Sequence, residues 1–277
     1  MSLPPAGCSN TLRIPSSKLA DVGIPEETCE TLALALQSEN PHLRELDLSN
    51  NSIGDSGVEL LCAGLISTNC FLEKLSLRWY NLTEMSCSHL ASVLSSHTHL
   101  TELELRDNDV KDSGLKLLCT GLQDPGCSLQ RLGLSGCCVT EDGCFNLATA
   151  LSSVHSQLRE LDLSYNHPGE SGVRQLSAVR DNPHCNLEKL SVDHCGECRI
   201  KPGLKKYACE ITLDPNTAHR TLSLSGNKKV TMTKGEQPYP DHPDRFEYYA
   251  EVLCREPLSG ARFYWETEWT GNVVYIG

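Results

Sequence analysis

Residues 43–65 read LRELDLSNNSIGDSGVELLCAGL, and this stretch decides the fold because its pattern returns along most of the chain. A hexapeptide of the form Leu-x-x-Leu-x-[Leu/Val] recurs at intervals of 28 or 29 residues. Its copies start at Leu43, Leu72, Leu100, Leu129, Leu158 and Leu187, and a decayed copy starts at Ile14. A period in that range predicts stacked repeats, because one such unit cannot bury its apolar face without a neighbour.

Two apolar spacings within each repeat predict its secondary structure. Counting from the first leucine, positions 0, +3 and +5 are apolar, which fits a short strand with one buried face. Positions +18 and +22 are apolar again, and a spacing of four is helical. These helical positions are Leu61 and Leu65, Leu90 and Leu94, Leu118 and Leu122, and Leu147 and Leu151. The predicted fold class is α/β, with parallel strands on one side of about seven repeats and helices on the other.

Position +8 alternates in type along the repeats. It is occupied by Asn51, Tyr80, Asn108, Cys137, Asn166 and Cys195. An inward asparagine there is expected to bond backbone groups of the bend after the strand, since buried backbone groups need partners. The alternation of two repeat kinds closely resembles the ribonuclease-inhibitor type of leucine-rich repeat, which is also found at the C-terminal end of NOD-like receptors. The resemblance covers Ile14 to Cys195, and it implies a horseshoe with strands inside and helices outside.

The period vanishes from about Leu204, and strand-like alternation with a Pro/Asn turn follows in residues 205–231. Residues Leu213–Pro215 read LDP and Trp265–Trp269 read WETEW. Both motifs resemble those of the PRY and SPRY (B30.2) module, a two-sheet sandwich that follows this kind of repeat in fish NOD-like receptors. We expect Trp265 and Trp269 to be core residues on the inner face of such a sandwich, and the alternative is that they form a ligand platform.

The expected domain order has four parts. A lead-in spans 1–13, leucine-rich repeats span 14–196, a linker spans 197–203 and an incomplete PRY/SPRY module spans 204–277. The last part is shorter than half of the family module, so we expect only a partial antiparallel β-sandwich segment there. Its terminal strand, Val273–Ile276, awaits neighbours. Ser17 and Arg180 occupy positions that are apolar in other repeats, which indicates weakened ends of the repeat array.

The bulk composition disfavours several functional classes. A formal net charge of -12 argues against nucleic acid as a partner, because binding to phosphate needs clustered Lys and Arg. No apolar stretch approaches the ~18 residues of a membrane span, and the first ten residues lack a signal-peptide pattern, so a cytoplasmic protein is expected. The chain contains no G-x-x-x-x-G-K-[ST] nucleotide-binding loop, no G-x-S-x-G and no H-E-x-x-H. We therefore expect no enzymatic activity and no cofactor.

Ten of the fifteen cysteines recur at four positions of the repeat. They are Cys29, Cys87 and Cys144; Cys62 and Cys119; Cys70, Cys127 and Cys185; and Cys137 and Cys195. This recurrence predicts small buried hydrophobes with reduced thiols rather than a disulfide framework. The stretch from His194 to Cys198 contains a C-x-x-C spacing, which raises the alternative of a metal site. We favour structural cysteines and no metal, because Cys195 at position +8 is expected to point into the core.

Two columns of polar residues are expected on the concave face. Position +2 reads Glu45, Lys74, Glu102, Arg131, Glu160 and Lys189, so charges alternate between strands that lie about 4.8 Å apart. We interpret this column as a ladder that neutralises itself. Position +4 alternates acidic residues such as Asp47 with small ones and contains no cation. This second column is predicted to attract basic groups of a partner.

Positions +6 and +7 supply the candidate protein-binding residues. The candidates are Arg78, Trp79, Arg106, Asp107, Tyr165, Asp193 and His194. Exposed Trp, Tyr and Arg dominate the hot spots of protein interfaces, which favours a protein partner on the concave repeat face. An alternative for Trp79 is that it packs against its own bend and is partly buried.

The resemblance implies a non-enzymatic recognition module, either the ligand-sensing or the autoregulatory end of an innate immune receptor. One alternative is a free-standing inhibitor that blocks a basic enzyme, as the ribonuclease inhibitor does. Another is a receptor fragment without a function of its own. The appended SPRY-like residues favour the receptor, since they have no role in the inhibitor.

Overall fold

The computed structural model of the chain describes residues 16–38, 43–51, 53–80, 82–96, 98–226 and 228–270. It consists of two compact units, Met1–Lys206 and Tyr207–Gly277, which we call the repeat unit and the C-terminal unit. The predicted lead-in, residues 1–13, lies outside the described residues. The other predicted domain bounds stay predictions.

The repeat unit contains a parallel sheet with seven strands in sequence order. The strands are β1 Ser16–Lys18, β2 Glu45–Asp47, β3 Lys74–Ser76, β4 Glu102–Glu104, β5 Arg131–Gly133, β6 Glu160–Asp162 and β7 Lys189–Ser191. The helices are α1 Thr28–Gln37, α2 Gly54–Leu65, α3 Glu84–Leu94, α4 Lys111–Leu122, α5 Glu141–Leu151 and α6 Gly169–Arg180. Equivalent repeat positions pair in register, as Glu45 does with Lys74 and Lys74 with Glu102. The predicted α/β leucine-rich-repeat fold class is confirmed, and the decayed first copy supplies β1.

Leucine side chains form one continuous core between the sheet and the helices. The central leucine of each strand from β2 to β6 points toward the helices and is only 1–2% exposed. The eight predicted helical leucines at positions +18 and +22 are buried as well. Because burial of a leucine side chain stabilises the fold by about 1.5–3 kcal/mol, the stacked core supplies most of the driving force for this unit.

Buried asparagines at position +8 hold the bends together, as the sequence predicts. The Asn108 amide donates to Leu77 O (2.7 Å) and Leu105 O (2.8 Å), and its oxygen accepts from Tyr80 N (2.9 Å) and Leu82 N (3.2 Å). Asn51 and Asn166 make equivalent bonds. One side chain thereby satisfies backbone groups of two successive bends, which would otherwise be buried without partners.

The residue at position +7 of every described bend has a left-handed backbone conformation. These residues are Asp21, Asn50, Trp79, Asp107, Gly136, Tyr165 and His194, with φ between 55° and 65°. The backbone N–H at this position donates to the +6 carbonyl of the next repeat, as in the 2.8 Å bond from Asp107 N to Ser135 O. Glycine and asparagine tolerate this conformation, whereas bulky side chains rarely adopt it. The backbone conformation therefore belongs to the fold, and large aromatic residues occupy it at a cost.

The last coil departs from the repeat. Strand β7 is followed by 3-10 helices at Glu197–Ile200 and Gly203–Tyr207 instead of an α-helix. The predicted linker, residues 197–203, lies within the repeat unit. The Cys195 Sγ lies 3.6 Å from Leu163 O, as expected of a side chain at position +8, but the residue is exposed and is not enclosed by the core. No further coil stacks on this side in the described residues, so the position +8 side chain is covered from one side only.

The remaining cysteines behave largely as the repeat pattern predicts. Every described cysteine is a free thiol, and those from Cys29 to Cys144 are buried. Burial raises the pKa of Cys62, Cys87 and Cys119 to about 12, which suits inert packing residues. No cluster of three or more metal-ligating side chains occurs among the residues that the structure describes. None of the helices in the described ranges is long and apolar enough to cross a membrane.

The C-terminal unit contains a small antiparallel sheet of β8 Leu222–Ser225 and β9 Lys229–Met232. A second pairing joins the chain around Leu213 to that around Cys254, through an Asp214 N to Leu253 O bond of 2.8 Å. These pairings agree with the strand-like alternation of the sequence. The predicted strand Val273–Ile276 lies outside the described residues.

Both tryptophans of the C-terminal unit are placed differently from the prediction. Trp265 is 40% exposed and Trp269 is 52% exposed, so the assignment to the inner face of a sandwich is wrong for the described structure. The pair β8 and β9 is the only sheet in the described part of this unit. An inner face requires two sheets packed against each other, and none forms there.

Candidate protein-binding face

Charged side chains at position +2 form an ion-pair ladder across the sheet. Lys74 Nζ lies 3.1 Å from Glu45 and 3.3 Å from Glu102. Arg131 continues the ladder at 2.8 Å from Glu102 and 3.3 Å from Glu160. The hydrogen bonds that Lys74 makes to Glu45 and Glu102 raise the pKa of Lys74. The predicted self-neutralising ladder is confirmed, and because exposed pairs stabilise little, its main effect is to remove like-charge contacts.

The acidic column at position +4 is neutralised by arginines from position +6, so its predicted lack of a cation is wrong. Arg78 lies 3.7 Å from Asp47. Arg106 lies 3.1 Å from Glu104 and 3.4 Å from Asp162. The long arginine side chains fold back from the bend onto the sheet, a contact between different repeat positions that the column pattern does not contain. A basic group of a partner would have to displace these arginines.

Gly133 is the small residue on the strand between the two carboxylates that Arg106 contacts. It lies on β5, between the strands that carry Glu104 and Asp162. A Cβ atom at this position would overlap the Glu104 carboxylate, so a larger residue would require that side chain to move. Burial raises the pKa of Glu104, although Arg106 opposes this effect. The result is a polar depression in the sheet face that holds two carboxylates and one guanidinium.

Trp79 is the aromatic residue that the bends present most openly. The residue is 40% exposed, and its backbone has a φ of 63°. The neighbouring Arg78 donates from Nε to Ser49 Oγ (3.2 Å), and this bond fixes the orientation of the guanidinium group. A large side chain in a left-handed conformation carries a backbone cost of about 1 kcal/mol or more. The partial exposure agrees with both readings of the sequence, contact residue and partly packed residue.

The remaining candidates are divided between buried and exposed positions. Tyr165 is only 7% exposed, because the His194 ring lies 4.8 Å from its ring and the Arg199 guanidinium 5.2 Å from it. Asp107 is buried, whereas Asp193 and His194 are exposed. The bends therefore bring Tyr165 and His194 together, whereas Trp79 lies three coils before Tyr165 and four coils before His194.

Two functional contributions were not recognised from the sequence. Arg199 covers Tyr165, and Lys206 inserts its ammonium group into the bends after β4 and β5. Both residues follow the last recognisable repeat, so the 28- or 29-residue period contains no signal for them. The only hint is the basic composition of residues 199–206, RIKPGLKK, in an acidic chain.

The sheet, the helices and the repeating bends define a leucine-rich-repeat protein with an appended β unit. Family models match the leucine-rich repeat at residues 39–62 and 96–119 and the SPRY-associated domain PRY at residues 211–258. The PRY match includes the LDP motif at Leu213–Pro215, and Trp265–Trp269 lies beyond it.

Curated relatives fall into two groups. The chain is 41% identical to the ribonuclease inhibitor of Sus scrofa over 76% of this chain and 45% of that protein. It is 41% identical to NACHT, LRR and PYD domains-containing protein 12 of Homo sapiens over 78% of this chain and 20% of that protein. It is 42% identical to NACHT, LRR and PYD domains-containing protein 3 of Rattus norvegicus over 65% of this chain and 17% of that protein. The chain thus spans less than half the length of the curated relatives it matches.

Proposed function

We propose that this chain is a non-enzymatic protein-recognition module of a cytoplasmic innate immune receptor of the NOD-like class. Its repeat face would either sense a ligand or hold the receptor in a regulated state. Two groups of observations support the proposal: the similarity to NACHT, LRR and PYD proteins, and the order of repeats followed by a PRY match. That order is the one expected of fish NOD-like receptors.

The observation that carries the proposal is the exposed Trp79 in a left-handed bend beside Arg78. Asparagine occupies the same bend position one coil earlier, at Asn50, without the steric cost. A tryptophan that stays 40% exposed leaves a large apolar surface accessible to a partner. Tryptophan and arginine together are the residue types most enriched in interface hot spots.

The paired charges of the sheet face define what a partner must supply. Asp47 and Glu104 are already bound by Arg78 and Arg106. A partner gains little from a single basic group there, because it must first break an existing pair. We propose contact residues Trp79, Arg78, Arg106, Asp193 and His194, with the ring of Trp79 as the anchor and the charges setting orientation. Tyr165 and Asp107 are left out of this set, because both side chains are buried.

Mutation of the bend tests this proposal. Trp79→Asn removes the ring and keeps a residue that tolerates the left-handed backbone. Phe145→Gln removes a more exposed aromatic ring (59%) from helix α5 as a control. With proximity labelling of the full chain in cells, we expect one set of proteins to be retained by Phe145→Gln and lost by Trp79→Asn. With a purified member of that set, the loss in affinity should be about thirtyfold, corresponding to ~2 kcal/mol. Equal partner sets for the parent and Trp79→Asn would refute the bend as the binding site.

The alternative is a stoichiometric inhibitor, and the 41% identity to the ribonuclease inhibitor supports it. Against it, an inhibitor of that kind gives no role to the PRY match at residues 211–258. Titration of ribonuclease activity with the full chain separates the two functions. Inhibition at a one-to-one ratio establishes the inhibitor, whereas unchanged ribonuclease activity together with a Trp79-dependent partner establishes the receptor module.

A further inference from the structure

A basic segment after the last strand folds back onto the repeats. We call residues Gly196–Lys206 the strap; all of it belongs to the repeat unit. It begins with a bond from Gly196 N to Asn166 O (2.9 Å) at the sixth bend. It ends at Lys206, whose side chain reaches the bends after β4 and β5. The strap therefore crosses three coils in the direction opposite to the repeat order.

The end of the strap occupies a socket built for a primary ammonium group. Lys206 is 2% exposed, and its Nζ donates to Gly136 O (2.6 Å), Asn108 O (3.0 Å) and Asp109 Oδ1 (2.7 Å). An ammonium has three N–H donors, and the socket supplies one acceptor for each. The Asp109 carboxylate also accepts from Gly203 N (3.1 Å), so one side chain binds both the ammonium and the strap backbone.

Further polar contacts hold the middle of the strap. Arg199 donates to His194 O (2.9 Å) and Lys206 O (2.7 Å), and its guanidinium lies over the Tyr165 ring. The Cys138 Sγ lies 3.5 Å from both Lys201 O and Asp109 Oδ1. Cys138 and Tyr165 are both buried. The strap thus forms part of the cover over an aromatic ring and a thiol of the repeat bends.

The apolar side chains of the strap leave about half of their surface or more in solvent. Ile200 is 47% exposed and Leu204 is 48% exposed, and Pro202 is exposed as well. Attachment therefore depends on charged and polar bonds. A buried ion pair gives small net stabilisation, because desolvation offsets much of its attraction, but the loss of one partner is strongly unfavourable. Such a contact is weak enough to open and sensitive to a single charge.

We propose that Asn108 O, Gly136 O and the Asp109 carboxylate form an ammonium-binding socket that Lys206 fills, and that this makes the strap a releasable cover over Tyr165 and Cys138. When the strap leaves, the socket is open to the lysine ammonium of another polypeptide, and the Tyr165 ring becomes available beside His194. The proposal concerns the repeat unit alone and does not depend on the identity of a partner.

Lys206→Met in the full chain tests whether the ammonium group in the socket holds the strap in place, because methionine keeps an unbranched side chain and removes the charge. Lys205→Met is the matched control, since this neighbouring lysine is exposed. The readout is alkylation of Cys138, resolved from Cys137 by fragment mass spectrometry. Cys137 is fully buried and reports unfolding of the core. We expect Lys206→Met to accelerate Cys138 labelling about tenfold or more, while Lys205→Met and the Cys137 rate stay at parent values.

A folded Lys206→Met variant is expected, because about a fifth of the Asp109 side chain is exposed (21%) and water can replace the ammonium there. If Cys137 labelling shows that the core of the variant opens, hydrogen exchange of the parent chain tests instead whether the strap opens separately from the core. Amides of Gly203 and Arg199 must then exchange at least about tenfold faster than those of β4 and β5, as a separate opening requires. Equal exchange would overturn the proposal, and so would parent-like Cys138 labelling in a folded Lys206→Met variant.

Chemical rescue tests the ligand class of the socket. Lys206→Ala leaves space for the lost atoms, and propylammonium has the length and the three donors to fill it. Millimolar propylammonium should restore protection of Cys138 in Lys206→Ala, whereas tetramethylammonium, which has the charge but no N–H donors, should not. Equal rescue by both cations would show a screening effect of charge, and no rescue by propylammonium would refute a built socket.

Discussion

The repeat unit and the C-terminal unit differ sharply in how they bury apolar side chains. In the repeat unit the central leucines of β2 to β6 are 1–2% exposed, whereas Leu253 in the C-terminal unit stays 54% exposed. The buried apolar residues in the described part of the C-terminal unit are Tyr207, Ala218 and Leu222. A stacked repeat offers every coil an equivalent neighbour, so burial accumulates with each coil. A two-stranded hairpin such as β8 and β9 has no such neighbour, and hairpins of this size are marginal alone.

Thiol accessibility should show the largest difference between the two units. Cys62 in the repeat unit is buried, and burial raises its pKa to about 12, whereas Cys209 and Cys254 in the C-terminal unit are partly exposed. We expect pulsed alkylation of the native chain to label the latter two at least about a thousandfold faster, the factor that corresponds to ~4 kcal/mol of opening free energy. Labelling of Cys62 at the rate of Cys254 would mean that the core opens as readily as the small unit.

Truncation of one leucine in each unit should give the next largest contrast. Leu132→Ala leaves a cavity under β5 and should lower the free energy of unfolding by about 2–5 kcal/mol. Leu253→Ala should change it by less than about 1 kcal/mol, because most of that side chain already contacts water. Urea unfolding followed by far-ultraviolet circular dichroism measures both values. Similar losses for the two variants would remove the proposed difference in packing.

Replacing a glycine by alanine should change the stability in opposite directions in the two units. A Cβ atom at Gly121 in α4 would lie 2.6 Å from Ala91 O and 3.0 Å from Ala91 Cα, atoms of the neighbouring helix backbone that cannot turn away. Gly121→Ala should therefore destabilise by about 1–3 kcal/mol, despite the better helix propensity of alanine. At Gly235 nothing lies within 4 Å, so Gly235→Ala should be neutral or stabilise by less than about 1 kcal/mol. Thermal unfolding of the two variants gives the signs directly.

The smallest expected effect is the acid dependence that Asp55 gives to the repeat unit. Burial acts to raise the pKa of Asp55, but hydrogen bonds from Ser86 and Thr83 outweigh it, and the pKa lies below 3.8. The carboxylate accepts from Thr83 N (3.1 Å) and Ser86 N (3.3 Å), so it caps helix α3 from the preceding coil. A carboxyl group whose pKa is lower in the folded state stabilises the fold at pH values above its unfolded-state pKa. This stabilisation is lost as the pH falls through the folded-state pKa.

For Asp55→Asn we therefore expect a loss of about 1 kcal/mol at neutral pH, and a loss that shrinks below about pH 4. Urea midpoints of parent and variant between pH 7 and 3 measure this convergence. Glu59→Gln, on helix α2 with Asp55, is the control. Parallel pH dependences of the urea midpoint for Asp55→Asn and the parent would contradict the capping role.

Much of the repeat unit was predictable from the sequence. The period of 28 or 29 residues predicted the position of every strand from β2 to β7. The spacing of four predicted the helical leucines. Asn108 was assigned its role at the bend because a buried amide side chain matches the backbone groups left open there. The ladder from Glu45 to Lys189 followed from strand register. Each of these inferences compares one coil with its neighbour, and that comparison is visible in the sequence.

The candidate face depended more strongly on tertiary structure. The pairing of Arg106 with Asp162 crosses the intervening strand at a glycine, and the Tyr165 ring is covered by Arg199 from a segment without repeats. Trp79, Asp193 and His194 are exposed, as the sequence suggested. These outcomes depend on where long side chains fold, which residue type and period do not specify.

The sequence by itself determined the coil, because stacking makes the same apolar positions meet in each repeat and their spacing encodes both strand and helix. Only the tertiary structure placed Lys206 against Asp109, which is 97 residues away and on no multiple of the repeat. The physical reason is that a periodic sequence specifies contacts between equivalent positions, whereas an aperiodic segment binds wherever donors and acceptors match in space. The strap belongs to that second kind of contact.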